Sequence, residues 1–132
     1  MIVVLDASAG IEIALGRKKA KDFSLYLNDA SQVITSDLYK AETGNVIWKY
    51  VKANLLEKEK SIQVYQYCRD IIDGFIDISE NIEEAINESI RLKHPTYDLL
   101  YLTLARRNGA ILLSLDKKLN EFAKQNGIEI GI

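Results

Sequence analysis

The sequence predicts an α/β protein in which one parallel β-sheet lies between layers of α-helices. Short runs such as IVVL (2–5) and AILLS (110–114) are apolar at nearly every position, which is typical of strands buried on both faces. Segments with apolar residues at helical spacing separate these runs, and such alternation favours a parallel sheet. At 132 residues, the chain is expected to form a single domain spanning 1–132.

Five segments are expected to form the strands of this sheet. IVVL (2–5) is followed by QVIT (32–35), FIDIS (75–79) and AILLS (110–114). The last segment, IEIGI (128–132), is expected to close the sheet as an edge strand.

Helical patterns fill the intervals between these strands. The predicted helical segments cover 8–16, 18–30, 38–54, 57–73, 81–94, 97–108 and 116–127. Gly16, Gly74, Gly109 and Gly127 stand where the pattern predicts helix ends, since glycine accepts the left-handed conformation there. Asn81 is expected to cap the helix over 81–94.

Composition excludes several classes of site. Cys68 is the one cysteine, so no internal disulfide forms, and His94 is the one histidine, which excludes a histidine-rich zinc site. No apolar stretch approaches the ~20 residues of a membrane span. The N-terminus lacks a basic segment and Asp6 interrupts the first apolar run, so a cytoplasmic protein is expected. The net charge of −2 neither demands nor excludes nucleic acid.

Four acidic residues fall where the predicted fold brings chain segments together. Asp6 ends the first strand and Asp116 follows the fourth. Because ligand sites of open α/β sheets lie beyond the carboxyl ends of the strands, these two carboxylates should meet there. Glu42 lies about one turn into the helix after the second strand. Asp98 lies at the start of the helix over 97–108, among residues that otherwise read as core.

The four acids together predict a metal site, although each alone also fits an ordinary role as a helix cap or surface residue. An isolated buried carboxylate costs several kcal/mol unless it is paired or binds a cation. No basic residue is interleaved with Asp6 or Asp98 in the local sequence. Carboxylates without histidines suit Mg²⁺ or Mn²⁺. Ser114, two residues before Asp116, would point to the same side and could hold a water or phosphate oxygen.

The segments VVLDAS, DLYKAETGNVIWK, TYDLLYLTLARRNGAILLSLDKKL and GIEI together resemble the PIN domain family, and within it the VapC-type toxins. The resemblance covers essentially the whole chain. It implies a parallel sheet between helical layers and a Mg²⁺- or Mn²⁺-dependent ribonuclease whose products carry a 5′-phosphate and a 3′-hydroxyl. The family's acids match Asp6, Glu42, Asp98 and Asp116, and its usual threonine falls on Ser114.

The resemblance also implies how these residues would act. Asp6, Asp98 and Asp116 would hold a divalent ion, and a second ion would be shared between Glu42 and the RNA. Lys117, Lys118 and Asn120 occupy the stretch where some members carry a further acid. The resemblance therefore allows either one or two bound ions. The supporting candidates are Ser8 and Asn45 near the ligands, and Arg17, Lys18, Lys117 and Lys118 for RNA.

Partners follow from the same resemblance. VapC-type toxins commonly dimerise and are typically encoded with an antitoxin that covers the active site, so RNA, an antitoxin and a second copy of the chain are the expected partners. One alternative is a PIN scaffold that binds RNA or protein without catalysis. Another is a phosphotransfer or nucleotide-binding α/β domain. That class is disfavoured because G-x-G-x-x-G is absent after the first strand and Ser8 stands where a second aspartate would be needed.

Overall fold

A four-stranded parallel sheet forms the centre of the molecule in the computed structural model, which describes residues 1–131. The strand order is β3-β2-β1-β4, and each neighbouring pair is parallel. The strands are β1 (Ile2–Leu5), β2 (Gln32–Ser36), β3 (Gly74–Ile76) and β4 (Ile111–Leu113). The predicted parallel sheet is therefore confirmed.

Within residues 1–131, seven α-helices cover the sheet. They are α1 (Ala7–Ala14), α2 (Ala20–Asp29), α3 (Leu38–Lys52), α4 (Ser61–Asp70), α5 (Ile82–Leu92), α6 (Thr96–Asn108) and α7 (Lys117–Gln125). Helices α1 to α4 pack together, α5 and α7 pack on α6, and α6 lies against the sheet. This confirms the three-layer α/β/α architecture.

Helix α6 is buried through its middle. Every residue from Leu99 to Ala105 is buried, so this helix is apolar around most of its circumference rather than along one stripe. It contacts β1, β2 and β4 as well as α5 and α7. Side chains on α6 are consequently fixed by packing on several sides.

Two predicted elements around β3 are shorter in the structure. The third strand ends at Ile76 rather than at Ser79, and a 3₁₀ turn over Ile78–Glu80 follows it. Asp77 starts that turn because its carboxylate accepts a hydrogen bond from the Ser79 amide at 2.8 Å. The helix predicted over 57–73 is a 3₁₀ turn at Lys58–Lys60 followed by α4.

The predicted closing strand is reduced to a single bridge. Ile130 pairs with Leu112 in parallel, and the Gly131 amide donates to the Leu112 carbonyl at 3.0 Å. Ile132, the last residue of the predicted strand, lies outside the described residues.

Asn81 occupies the N-cap position of α5, but its side chain makes no capping hydrogen bond there, contrary to the sequence prediction. Its side chain points into the protein, where its amide donates to the Leu100 carbonyl at 3.0 Å and to Thr103 Oγ1 at 2.9 Å. A buried asparagine needs such partners. Asn81 therefore fastens the start of α5 to α6.

The strand order fixes the position of a cleft. The chain runs from β1 outward to β2 and β3, and then returns to the opposite side of β1 as β4. The ends of β1 and β4 thus become neighbours, and the Asp6 amide donates to the Leu113 carbonyl at 3.2 Å. Between residues 1 and 131, no helix combines the length and apolarity needed to cross a membrane.

Candidate active site

The four predicted acids line one pocket at the carboxyl ends of the strands. Asp6, Glu42, Asp98 and Asp116 all contribute to its wall, and its volume is about 390 Å³. They come from four separate segments of the chain: the β1–α1 junction, α3, the first turn of α6 and the β4–α7 junction. The fold therefore brings together side chains that are up to 110 residues apart in sequence.

Asp6 is the most deeply placed of these carboxylates. It caps α1, since its Oδ1 accepts hydrogen bonds from the Ala9 amide at 3.0 Å and from Ser8 Oγ at 2.6 Å. Ser114 Oγ donates to its Oδ2. Burial raises the pKa of Asp6 from 3.8 to about 6, against the lowering effect of these hydrogen bonds, and the nearby Asp98 charge raises it further.

Ser114 and Ser8 join the ends of β1 and β4. Ser114 Oγ accepts from the Asp116 amide at 2.9 Å while it donates to Asp6. Ser8 Oγ similarly accepts from the Leu115 amide at 2.9 Å. These two hydroxyls hold the acidic ends of both strands in one hydrogen-bonded unit.

Asp116 also begins a helix. Its Oδ1 accepts from the Leu119 amide at 3.1 Å and so caps α7. The helix-cap role and the pocket role, which sequence reasoning treated as alternatives for Asp6 and Asp116, are therefore combined in both residues.

Glu42 is held by a residue that the sequence analysis did not single out. Tyr101 Oη, on the buried face of α6, donates to Glu42 Oε1 at 2.6 Å. Burial raises the pKa of the Glu42 carboxyl, the hydrogen bond from Tyr101 lowers it, and the Asp98 charge raises it. The pKa of the Tyr101 phenol is held above its usual range, mainly by burial and next by the adjacent Glu42 charge. The phenol therefore stays protonated and donates a hydrogen bond.

Asp98 has a partner that the sequence analysis missed. His94 Nε2 lies 2.7 Å from Asp98 Oδ2. The interpretation that no basic residue accompanies Asp98 is therefore wrong. The His94 ring also packs edge-on against Phe122 of α7, with the ring centroids 5.2 Å apart. The four-residue spacing between His94 and Asp98 could have indicated this contact. Pro95 lies between them, however, and its presence predicts a break between helices.

The four pocket acids are not paired with lysine or arginine in the part of the chain that the structure describes. Within residues 1–131, no lysine or arginine forms an ion pair with Asp6, Glu42, Asp98 or Asp116. An all-oxygen set of acidic donors suits Mg²⁺ or Mn²⁺ better than zinc. As these side chains stand, no three acidic, histidine or cysteine groups in that part of the chain form a ready cage for an ion.

The predicted RNA-binding cations lie outside the pocket wall. Over the described residues 1–131, neither Arg17 and Lys18 nor Lys117 and Lys118 line it. Arg17 pairs with the buried Glu12, its Nε lying 3.6 Å from Oε1. Lys117 and Lys118 are exposed on the first turn of α7, directly after Asp116.

Other polar residues do line the pocket. Ser8 and Asn45, both predicted to support the acids, are part of its wall. Lys49 joins them, four residues after Asn45 on α3. Tyr97, beside Asp98, lines the pocket with 62% of its surface exposed. The pocket therefore offers a cation and an aromatic face at its rim.

A family comparison agrees with this arrangement. The model of the PIN domain matches residues 3–125. The chain belongs to the PIN domain family. Ribonuclease VapC3 of Pyrobaculum aerophilum is 26% identical to it over 136 residues, covering 92% of this chain and 94% of that protein.

Solved structures share the fold of this PIN domain. PAE2754 from Pyrobaculum aerophilum superposes with a TM-score of 0.72 at 18% identity, covering 90% of this chain and 82% of that one. VapBC2 from Rickettsia felis, bound to a DNA fragment from its promoter, gives 0.69 at 15% identity, covering 98% and 97%. VapBC-1 from nontypeable Haemophilus influenzae gives 0.65 at 17% identity, covering 98% and 96%.

Proposed function

We propose that this PIN domain is an endoribonuclease that depends on a divalent metal ion and acts as the toxin of a toxin–antitoxin pair. The observation that carries the proposal is the convergence of Asp6, Glu42, Asp98 and Asp116 on one pocket, where none of them forms an ion pair with a lysine or arginine of residues 1–131. Similarity to Ribonuclease VapC3 supports the same reaction class. RNA supplies the polyanionic substrate whose phosphate an ion in this pocket would neutralise.

Asp6, Asp98 and Asp116 are the residues that would hold the ion, with Glu42 contributing to a second ion if two bind. When bound, Mg²⁺ or Mn²⁺ supplies positive charge that polarises the phosphate and lowers the pKa of water. The raised pKa of Asp6 supports this assignment, since a cation would relieve the cost of its buried charge. Because no three such groups within residues 1–131 form a ready cage, the acidic side chains would move inward on binding.

The protein groups would then direct hydrolysis. Glu42 Oε2 makes no hydrogen bond to residues 1–131, while Oε1 is held by Tyr101, so Oε2 is available to a second ion or, when one ion binds, to take a proton from the attacking water. The water oxygen bonds to phosphorus as the bond from phosphorus to the 3′ oxygen breaks. The departing oxygen takes a proton from solvent, which leaves a 5′-phosphate and a 3′-hydroxyl.

The rim of the pocket would hold the RNA. Lys49 is placed to contact a phosphate and Tyr97 to stack on a base. The exposed Lys117 and Lys118 follow Asp116 directly and would meet the strand as it leaves the pocket. Arg17 and Lys18 are assigned a lesser part, because Arg17 is already paired with Glu12.

An antitoxin partner is part of the proposal, as is a homodimer of the toxin. VapBC2 and VapBC-1 have this fold, and a basic side chain of a partner would satisfy the acidic pocket. Helix α3 presents Glu42 to the pocket and Trp48 to a neighbouring apolar groove of about 400 Å³. A partner that reaches the acids could also cover the exposed Trp48.

Cleavage of a pool of structured RNAs by the purified protein tests the proposed activity. Cleavage should require Mn²⁺ or Mg²⁺, stop in EDTA and be lost in Asp116→Asn. The matched control is Asp22→Asn, which changes an exposed aspartate on α2 and should cleave like the wild type. Mn²⁺ binding without cleavage of any RNA would favour the catalytically silent scaffold, and absence of Mn²⁺ binding would refute the metal site.

A further inference from the structure

We propose that Tyr101 is a positioning residue, which fixes the orientation of the Glu42 carboxylate for metal binding. The proposal rests on the proposed function, because it concerns the same site. Tyr101 would not touch RNA or ion. It would act through Glu42 by holding Oε1 and leaving Oε2 as the oxygen available to the ion or water.

The contact joins two separate layers of the molecule. Tyr101 belongs to α6 and Glu42 to α3, 59 residues apart, and the hydrogen bond between them is 2.6 Å long. The Tyr101 side chain is fully buried, while Glu42 is only half-buried at the pocket wall. A rigid donor is therefore bonded to a longer, flexible acceptor that reaches the pocket.

The choice of acceptor is what distinguishes Tyr101 from an ordinary core tyrosine. A buried phenol needs a hydrogen-bond acceptor, and a backbone carbonyl is enough. Tyr39, which is equally buried, donates to the Cys68 carbonyl at 2.7 Å. Tyr101 instead uses a pocket carboxylate whose burial is itself unfavourable.

The position of Tyr101 on α6 links it to a second acid. Asp98 lies three residues earlier on α6 and lines the same pocket, and residues three apart share a helix face. One buried helix thus carries one pocket acid and orients another. The separation between the Asp98 and Glu42 carboxylates is therefore set by the packing of α6. It does not depend on free rotation of the Glu42 side chain.

Loss of such a partner should weaken the metal site more than the fold. Groups that hydrogen-bond to metal ligands typically affect metal affinity about 10–100-fold when they are removed. Tyr101→Phe deletes only the hydroxyl and keeps the ring. The expected result is Mn²⁺ affinity lowered about 10-fold, with the circular dichroism spectrum of the wild type.

Tyr39→Phe is the matched control, because it deletes a buried phenol hydroxyl that has no contact with the pocket acids in the hydrogen bonds of residues 1–131. Mn²⁺ dissociation constants would be measured by titration followed by electron paramagnetic resonance, alongside thermal unfolding. Both variants should lower the melting temperature. Only Tyr101→Phe should shift the dissociation constant, while Tyr39→Phe should stay within about 2-fold of wild type.

A double-mutant cycle with Glu42→Ala, which removes the acceptor of the Tyr101 hydrogen bond, tests whether Tyr101 acts through Glu42. In the Glu42→Ala background, Tyr101→Phe should no longer alter Mn²⁺ affinity. An unchanged loss in that background, or wild-type affinity in Tyr101→Phe alone, would overturn the positioning role and leave the proposed nuclease intact. Failure of the wild type to bind Mn²⁺ would overturn the proposed metal site and the positioning role together.

Discussion

His94 Nε2 lies 2.7 Å from Asp98 Oδ2 across the corner between α5 and α6. Lys93 takes the left-handed conformation, φ 55°, and Pro95 follows as the residue before α6. This corner places His94, in the linker before α6, one turn before Asp98 in the first turn of α6. The contact anchors the first turn of α6, where the acid meets the pocket.

Replacing His94 by alanine should destabilise the protein. The change removes a hydrogen bond to a carboxylate and the edge contact with Phe122, so the free energy of unfolding should fall by about 1–3 kcal/mol. Urea unfolding in EDTA measures this change. Lys93→Ala, which alters the neighbouring exposed residue, reports the cost of disturbing the corner itself. Equal losses in the two variants would contradict a stabilising role for the His94–Asp98 contact.

The fold was predictable from the sequence where burial is symmetrical. The runs that became β1 and β4 are apolar at nearly every position, as expected for strands of a parallel sheet that helices cover on both faces. The FIDIS segment was harder, because Asp77 turns the chain by capping its own 3₁₀ turn and the alternation of Ile76 and Ile78 imitates a strand. The capping role predicted for Asn81 was wrong for a related reason. Its buried side-chain hydrogen bonds are made to α6, which the local sequence around Asn81 does not show.

The candidate site was predictable to the extent that strand ends determine it. Asp6 and Asp116 follow adjacent parallel strands, so their meeting required no knowledge of side chains. The partners of the other acids were not predictable in this way. Tyr101 lies 59 residues from Glu42, and its hydroxyl was hidden inside an apolar pattern that indicates core. Lys49 reaches the pocket because α3 is long enough to bring it there.

Asp6 should make the metal-free protein less stable as the pH rises. Its folded pKa of about 6 exceeds its ordinary value of 3.8, so the folded state binds the proton more tightly than the unfolded state. The cost is absent below pH 4, grows between pH 4 and 6, and reaches about 3 kcal/mol above pH 6. Asp6→Asn should therefore be more stable than wild type at pH 7 and similar at pH 4.

Urea unfolding in EDTA at pH 4, 5, 6 and 7 measures this difference. The advantage of Asp6→Asn over wild type should increase with pH across the series. Asp22→Asn supplies the control, since an exposed aspartate should show no such trend. A constant difference between Asp6→Asn and wild type at all four pH values would show that Asp6 does not carry a buried charge.

Divalent ions should reverse the cost of the acidic cluster. Binding to the folded state alone stabilises it by about 2.7 kcal/mol when the ion is present at 100 times its dissociation constant. Thermal unfolding of the wild type should therefore shift upward with Mn²⁺ concentration. Asp116→Asn should lose most of the shift and Asp22→Asn should keep it. A shift that persists in full in Asp116→Asn would place the ion elsewhere.

Glu42→Gln should separate chemistry from folding. Glutamine keeps the hydrogen bond from Tyr101 but cannot accept a proton, so the rate of RNA cleavage should fall about 10²–10⁴-fold. The control is Glu59→Gln, which changes an exposed glutamate and should cleave RNA at the wild-type rate. Single-turnover cleavage with saturating Mn²⁺ is the measurement. A cleavage rate unchanged by Glu42→Gln would remove Glu42 as the proton acceptor.

Tyr97 at the rim should contribute to RNA affinity by stacking. It is 62% exposed beside Asp98, whereas Tyr67 of α4 is 50% exposed and does not line the pocket formed by the described residues. Stacking of one base is worth about 1–3 kcal/mol, so Tyr97→Ala should weaken binding of single-stranded RNA about 5–150-fold. Tyr67→Ala should leave it unchanged. Fluorescence anisotropy in the Glu42→Gln background, which should hold RNA without rapid turnover, measures both. Equal affinities for the two variants would mean that the RNA does not pass over Tyr97.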